Sequence, residues 1–344
     1  MNDRRDILLR GARLIDGTGR PAYTNAFLHI RGGILHTLGA MSADHSLPNE
    51  YRWAASGVLD VGGKTIMPAL LNAHGHLGLS TGIELSPESH ATEHIQRQLD
   101  TYLRYGVNAV LSLGTDQDLV YQMRKAQRAQ QLGGARIFTA GRGFSIKGGW
   151  PPDSVFAQAY RPESSLEARM QVRELAAQRP DWVKIWVDDE GGRIPKIRPE
   201  TCSAIIDEAH RFGLKVAAHI FYREDARMLV DAGLDALAHS IRDQEVDDAL
   251  IRAIVDRKVF YVPTLARDQA SFIFGGEDGP AWVDDPFFQA GVEAPVIAVP
   301  KEPGIPYPYA LESRQSEVED RIRNRKAESE ATGDGWREGM RRNG

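Results

Sequence analysis

The sequence contains a single cysteine, Cys202, in 344 residues, so no internal disulfide framework is available and a reducing compartment, by default the cytoplasm, fits. The lone thiol falls in a helical stretch, where packing outweighs nucleophilic chemistry. No apolar run reaches membrane-spanning length, and the N-terminus MNDRRDILLRGARL breaks into a strand pattern before a signal-type core can form. Charge imbalance is small: the net charge is -5, which gives no reason to expect nucleic acid or an anionic membrane as partner. A glycine-rich dinucleotide fingerprint is lacking after the first core strand. The GGKT at Gly62 to Thr65 has its upstream glycine out of register for a phosphate loop, and a strand rather than a helix follows it.

A chain with 42% hydrophobic residues can bury a large core, sized for one barrel-like domain plus an appendage. Three β-like runs, Ile7 to Ile15, Ala26 to Leu38 and Val58 to Thr65, are punctuated by Asp16-Gly17-Thr18-Gly19 and Arg31-Gly32-Gly33 and make a small N-terminal β module over residues 1–65. From Ile66 to about 311 the pattern changes. Apolar runs at Ile66 to Ala73, Val107 to Leu113, Arg136 to Ala140, Trp182 to Val187, Lys215 to His219, Ala236 to His239 and Val259 to Leu265 alternate with helix-period segments. Four of those helices stop at a glycine just before a strand: Gly106, Gly134, Gly213 and Gly233. This repeated helix, glycine, strand order implies a parallel sheet with helical crossovers. Seven such strands favour an α/β (β/α)8 barrel, with its chemistry at the carboxyl ends of the strands.

Polar residues recur at those ends. The stretch Ile66 to Gly78, IMPALLNAHGHLG, carries His74 and His76, which alternation places on one face of a strand with Gly75 between them. Two imidazoles converging there suit a zinc-like ion, although a His-x-His would arise by chance roughly 0.3 times in such a chain. Lys184 lies inside DWVKIWVDD, on a strand expected to be buried on both faces. Such an amine either finds a carboxylate or solvent at the strand end, the commoner case, or loses its charge and can take up carbon dioxide as a carbamate. His219 and His239 each close an apolar strand after a helix and its capping glycine. One histidine at a strand end is usually a packing residue, but four histidines and a lysine on four strands are a constellation. The remaining histidines lack that placement and are expected on the surface or in packing.

The ordered set His74-Gly75-His76, Lys184, His219 and His239, with the opening Leu14-Ile15-Asp16-Gly17-Thr18-Gly19, resembles the amidohydrolase superfamily, especially its imidazolonepropionase- and prolidase-like members. The resemblance runs from about Ile7 to about Phe288. It implies a distorted (β/α)8 barrel with a β-sandwich built from both chain ends, of which the N-terminal module is half. It also implies two divalent ions, usually zinc, with His74 and His76 on one, His219 and His239 on the other, and a CO2-derived carbamate on Lys184 bridging them. Such ions would acidify a shared water, and the resulting hydroxide would cleave a C–N bond of a small amide, dipeptide or cyclic substrate. Tyr222, just past His219, is a candidate donor to the developing oxyanion. The runner-up is a mononuclear deaminase on the same barrel. A third reading is an inactive metal-binding relative.

That third reading arises because the family's eighth-strand aspartate has no counterpart. Asp116 in Leu113-Gly-Thr-Asp ends the wrong strand. After Leu265 come DDPFF and a proline-rich run from Pro300 to Pro308. From Glu312 to Gly344 about half the residues are charged and none is leucine or phenylalanine, a composition that forms no buried strand. The expectation is a chain truncated relative to the family, with seven readable strands, edge strands open to oligomerisation, and a charged tail over 312–344. The tail's GDGWREGMRR can be back-translated so that a one-base shift reads Ala-Gly-Val-Lys-Val-Cys-Gly-Val-Thr, which suggests a frameshift.

Overall fold

The computed structural model describes residues 6–42, 51, 57–81, 84–189, 191–266 and 281–292. The proline-rich run at 300–308, the tail over 312–344 and any eighth-strand region therefore lie outside the described residues. Backbone contacts divide the chain into two compact units, Met1–Leu70 and Leu71–Gly344.

In the first unit, β1 (Ile7–Leu14), β2 (Tyr23–Arg31), β3 (Ile34–Ala40), β4 (Gly57–Asp60) and β5 (Thr65–Ile66) form one sheet of order β3-β2-β1-β4, with β5 also on β1. The run expected from Ala26 to Leu38 is a hairpin: Gly32 and Gly33 adopt φ of 62° and 80°, which glycine takes without a Cβ clash, and the chain reverses there. Alternation sends Leu8 and Phe27 to one face and Leu14, Ala26 and Leu28 to the other. β4 and β5 run parallel to β1.

The expected strand Ile66 to Ala73 is two strands. Thr65 and Ile66 pair with β1, and the second unit's first strand, β6 (Leu70–Gly75), begins after Pro68, which has no N–H to give a ladder. A short β7 (Ser80–Thr81) and β8 (Glu84–Leu85) pair with each other. The chain then alternates through α1 (Thr92–Arg104), β9 (Val107–Ser112), α2 (Asp118–Arg128), β10 (Arg136–Thr139), α3 (Asp153–Phe156), α4 (Ser165–Ala177), β11 (Trp182–Trp186), α5 (Pro199–Arg211), β12 (Lys215–His219), α6 (Arg223–Asp231), β13 (Ala236–Ala238), α7 (Asp248–Asp256) and β14 (Phe260–Val262), with α8 (Pro286–Gln289) beyond. All four glycines read as helix stops have positive φ: Gly106, Gly134, Gly213 and Gly233, between 68° and 90°.

The expected α/β architecture with parallel sheets is present, as a three-stranded sheet β10-β9-β6 and a four-stranded sheet β11-β12-β13-β14. Among the described residues these ladders do not join into a closed eight-stranded barrel. They do follow one another in chain order, and one apolar cavity of about 310 Å³ takes its lining from all seven strands, with Ala73, Leu111, Phe138, Trp182, Ala217, Ala236 and Phe260 among the contributors. Strand residues of the other parity, such as Val183, Ile185, Val216 and Leu237, pack outward with Leu175, Ile205, Ile206 and Leu229 from the helices. Both faces are apolar because crossover helices cover one and the strands' own interior the other.

Asp181 stitches the two sheets. Its N–H donates to the Thr139 carbonyl at 2.7 Å, and its carboxylate accepts from Thr139 N at 2.9 Å and from Arg124 Nη1 at 2.5 Å. The Arg124 side chain is only 7% exposed, so losing its partner would strand a guanidinium with little solvent. Replacing Asp181 by alanine should cost about 3 kcal/mol of unfolding free energy, measured by urea denaturation; a loss within experimental error would show that the seam needs no ion pair.

Candidate metal centre

Each histidine of the constellation is placed by the end of a strand. Gly75 is buried so closely that a Cβ there would stand 2.7 Å from Val110 Cγ2, so no larger residue fits between the two histidines. Asn72 Oδ1 accepts from His74 N at 3.0 Å, and Asn72 Nδ2 donates to Tyr102 on α1 at 3.1 Å. His76 lies one residue past β6. His219 is the last residue of β12, and His239 follows β13 with φ of 74°, a left-handed conformation that costs a non-glycine residue on the order of 1 kcal/mol or more.

The structure brings these rings together. Ring centroids lie 5.3 Å apart for His74 and His76, 4.5 Å for His74 and His239, and 4.5 Å for His219 and His239. Lys184 is fully buried, and its Nζ has no hydrogen-bond partner. Its nearest ring is Trp186, 5.9 Å from Nζ to centroid. Gly114, at φ of 96°, makes the room: a Cβ on it would come within 2.8 Å of Lys184 Cγ and 2.7 Å of Trp186. The common alternative for a strand lysine, a carboxylate or solvent, is thus not the arrangement found here.

Burial sets the protonation states. It lowers the Lys184 pKa from 10.5 to about 7, because an ammonium ion loses its hydration there. His76 is lowered to about 3, by burial first and then by Lys184 and His219. His219 is lowered to about 4, again by burial first, against an opposing hydrogen bond from Asp188. Neutral imidazoles keep a lone pair for a cation. A second group engages one nitrogen of three of the rings: Thr115 Oγ1 lies 3.1 Å from His76 Nδ1, Asp188 Oδ2 lies 2.9 Å from His219 Nε2, and Thr264 Oγ1 lies 2.7 Å from His239 Nδ1.

Tyr222 stands directly before α6 and donates its hydroxyl to Asp189 Oδ1 at 2.7 Å. Asp116 is buried as a brace: its oxygens accept from Ser112 Oγ at 2.6 Å and from Thr139 Oγ1, and burial raises its pKa to about 7. Histidines outside the constellation have local partners, as with His94 on the Ser80 carbonyl at 2.7 Å and His210 on Asp235 at 2.8 Å. An open groove of about 640 Å³, lined in part by Ser80, Arg97 and Gln98, passes beside His76.

Sequence reasoning missed Thr115, Asp188 and Thr264. Asp188 carried a signal, since it continues the even-numbered face of Trp182, Lys184 and Trp186. Thr264 carried none, because its approach depends on its own φ of 52°. Among the described residues no three His, Cys, Asp or Glu side chains form a ready metal-holding group. Ring-to-ring packing of the histidines accounts for this, and the fifth polar group, Lys184, becomes an oxygen donor only when carboxylated. Donor chemistry nevertheless fits a divalent cation: neutral imidazoles surround a buried amine that has no hydrogen-bond partner. Among the described residues no helix is long and apolar enough to cross a membrane.

The model of the amidohydrolase family matches residues 65–270, more than half of the chain. An uncharacterized protein of Mycobacterium tuberculosis strain H37Rv is 28% identical over 257 residues, which cover 72% of this chain and 64% of that protein. This chain thus spans a little under two thirds of the length of that curated relative. A Xaa-Pro dipeptidase crystallised with methionine in its active site superposes with a TM-score of 0.65 at 21% identity, over 91% of this chain and 77% of the dipeptidase. Ochratoxinase from A. niger gives 0.65 at 17% identity, over 86% and 72%. At these identities the two likenesses speak to fold.

The burial of Lys184 has a measurable sign. Its folded pKa, about 7, lies below the ordinary 10.5, so between those values the unfolded chain binds the extra proton and stability rises with pH, the penalty being complete below 7. In metal-free, bicarbonate-free buffer, Lys184→Met should therefore be more stable than wild type by on the order of 5 kcal/mol at pH 7. That advantage should shrink toward pH 10. Parallel stability curves for the two proteins between pH 7 and 10 would mean that the amine stays charged in the fold.

Proposed function

The chain belongs to the amidohydrolase family, and from that membership we propose that it hydrolyses a C–N bond of a small amide, dipeptide or cyclic substrate with the help of divalent metal ions. The observation that carries the reading is the fully buried Lys184 Nζ among four strand-end histidines. A lysine that is partly neutral near pH 7 is a nucleophile toward carbon dioxide: its lone pair forms an N–C bond, one proton leaves, and a carbamate carboxylate results. In this reading His74 and His76 hold one ion, His219 and His239 the other, and carboxylated Lys184 joins them. Bound zinc ions would acidify water and polarise the scissile carbonyl.

The chain's own residues supply the rest. Trp186, Phe144 and Gly114 wall off Lys184 from solvent, which strengthens every charge interaction at the site. The neutral state of His76 and His219 keeps lone pairs available at physiological pH. Tyr222, whose hydroxyl already donates to Asp189, would turn that proton toward the oxygen that gains charge as the carbonyl is attacked. A dipeptide or other small amide is consistent with the dipeptidase among the structural neighbours.

One observation favours a second reading, a mononuclear deaminase. The His239 ring lies 4.5 Å from both His74 and His219, so three histidines crowd one point, as a single ion would require.

Elemental mass spectrometry of the full chain, purified with zinc and bicarbonate, should find two ions per chain. Lys184→Ala should lose both, because the joining carboxylate is gone; one retained ion and retained turnover would favour the mononuclear reading, and a metal-free wild type would overturn both. Against a dipeptide or N-acyl amino acid substrate, Tyr222→Phe should lower kcat about 100-fold with KM little changed. An unchanged kcat would remove Tyr222 from the mechanism.

A further inference from the structure

We propose that Asp188 is a positioning residue that fixes the tautomer of His219, so that His219 presents Nδ1 to the centre while His76 and His239 present Nε2. The inference rests on the metal-centre reading above for its purpose, but its geometry stands apart from it. β11 and β12 pair in parallel with Trp186 opposite His219, and Val187 N donates to the His219 carbonyl at 3.1 Å. That register carries residue 188 alongside the imidazole. Alternation returns its side chain to the face that also bears Lys184, so one strand sends an amine and a carboxylate to the same histidine's surroundings.

The contact is 2.9 Å between Asp188 Oδ2 and His219 Nε2, and both side chains are largely buried. An ionised carboxylate has no proton to give, so Nε2 must carry the hydrogen and Nδ1 the lone pair. The other two rings are turned the opposite way. His76 and His239 place Nδ1 against the hydroxyls of Thr115 and Thr264, which leaves Nε2 directed away from those bonds. A hydroxyl can donate or accept and does not select a tautomer unaided. Asp188 therefore makes the one unambiguous assignment in the set. Partners of this kind also raise ligand basicity and hold ring orientation, with typical losses of 10–100-fold in metal affinity when they are removed.

The test uses the full-length protein and two readouts. Long-range 15N–1H correlation of the metal-free wild type, with the His219 signals identified by their disappearance in His219→Gln, should show the Nε2–H tautomer. Competition titration with zinc should show Asp188→Ala losing about 10–100-fold in affinity, and Asp188→Asn, whose amide oxygen still accepts, losing only about fivefold. A mainly Nδ1–H tautomer in the wild type overturns the proposal even if Asp188→Ala fails to fold. An alanine variant that binds zinc as wild type does overturns it too, and so does an asparagine variant as weak as alanine, which would point to a role for the charge itself. If the wild type binds no zinc, the metal-centre reading falls, and the tautomer still decides the role of Asp188.

Discussion

The site depends on one costly burial. Lys184 is carried into the interior by a strand whose odd-numbered neighbours, Val183 and Ile185, pack outward with the helices, so its inward direction is not negotiable. An ammonium ion there would forfeit its hydration, and the structure offers it no hydrogen bond. The amine answers by giving up its proton near neutral pH. Neighbouring residues are shaped to permit this. Gly114 and Gly143 lack the side chains that would strike Lys184 or Trp186. Phe144, fully buried, is bonded to the lysine's own strand through its N–H to the Lys184 carbonyl at 2.8 Å.

Converging histidines follow from topology rather than from sequence proximity. Parallel strands deliver their carboxyl ends to one side, and each helix must stop promptly for the next strand to arrive in register. The positive-φ glycines that end α1, α5 and α6 do this. His219 and His239 then stand at neighbouring strand ends, 4.5 Å apart by centroid, although twenty residues separate them in the chain. The price is local: His239 and Thr264 both occupy left-handed backbone conformations, and each holds the other through a 2.7 Å contact.

Much of this was legible in the sequence because its signals were periodic. Alternation placed His74 and His76 on one face, apolar runs marked seven strands, and a glycine before a strand marked where helices end. The limits lay where a single residue interrupts a period. Pro68 splits the run beginning at Ile66 into a strand of each unit, which hydropathy does not register. The turn at Gly32-Gly33 divides one expected strand into two. Closure of the seven strands into a barrel depends on pairing between distant edges, for which local pattern carries no information. Thr264 reaches His239 only through an unusual φ, and no propensity anticipates a β-branched residue there.

Buried polar groups in this protein separate into two kinds, and the distinction bears on which of them can act. Asp116 looks like a catalytic acid: it is buried, its pKa is raised to about 7, and it ends a strand. Both of its oxygens are nonetheless taken by Ser112 and Thr139, while Ser112 Oγ also accepts from Leu77 N. Its work is to hold the loops after β6, β9 and β10 together. Glu208 is similar, gripped by Arg169, Arg173 and Arg211 between α4 and α5. A saturated carboxylate gains nothing by meeting a substrate, since each new bond must break an old one. Lys184 is the opposite case: its Nζ is buried without a hydrogen bond, at a point where four histidines converge. An amine so placed has free energy to gain from a reaction partner, and carbon dioxide, small and apolar, can reach it where a larger electrophile cannot.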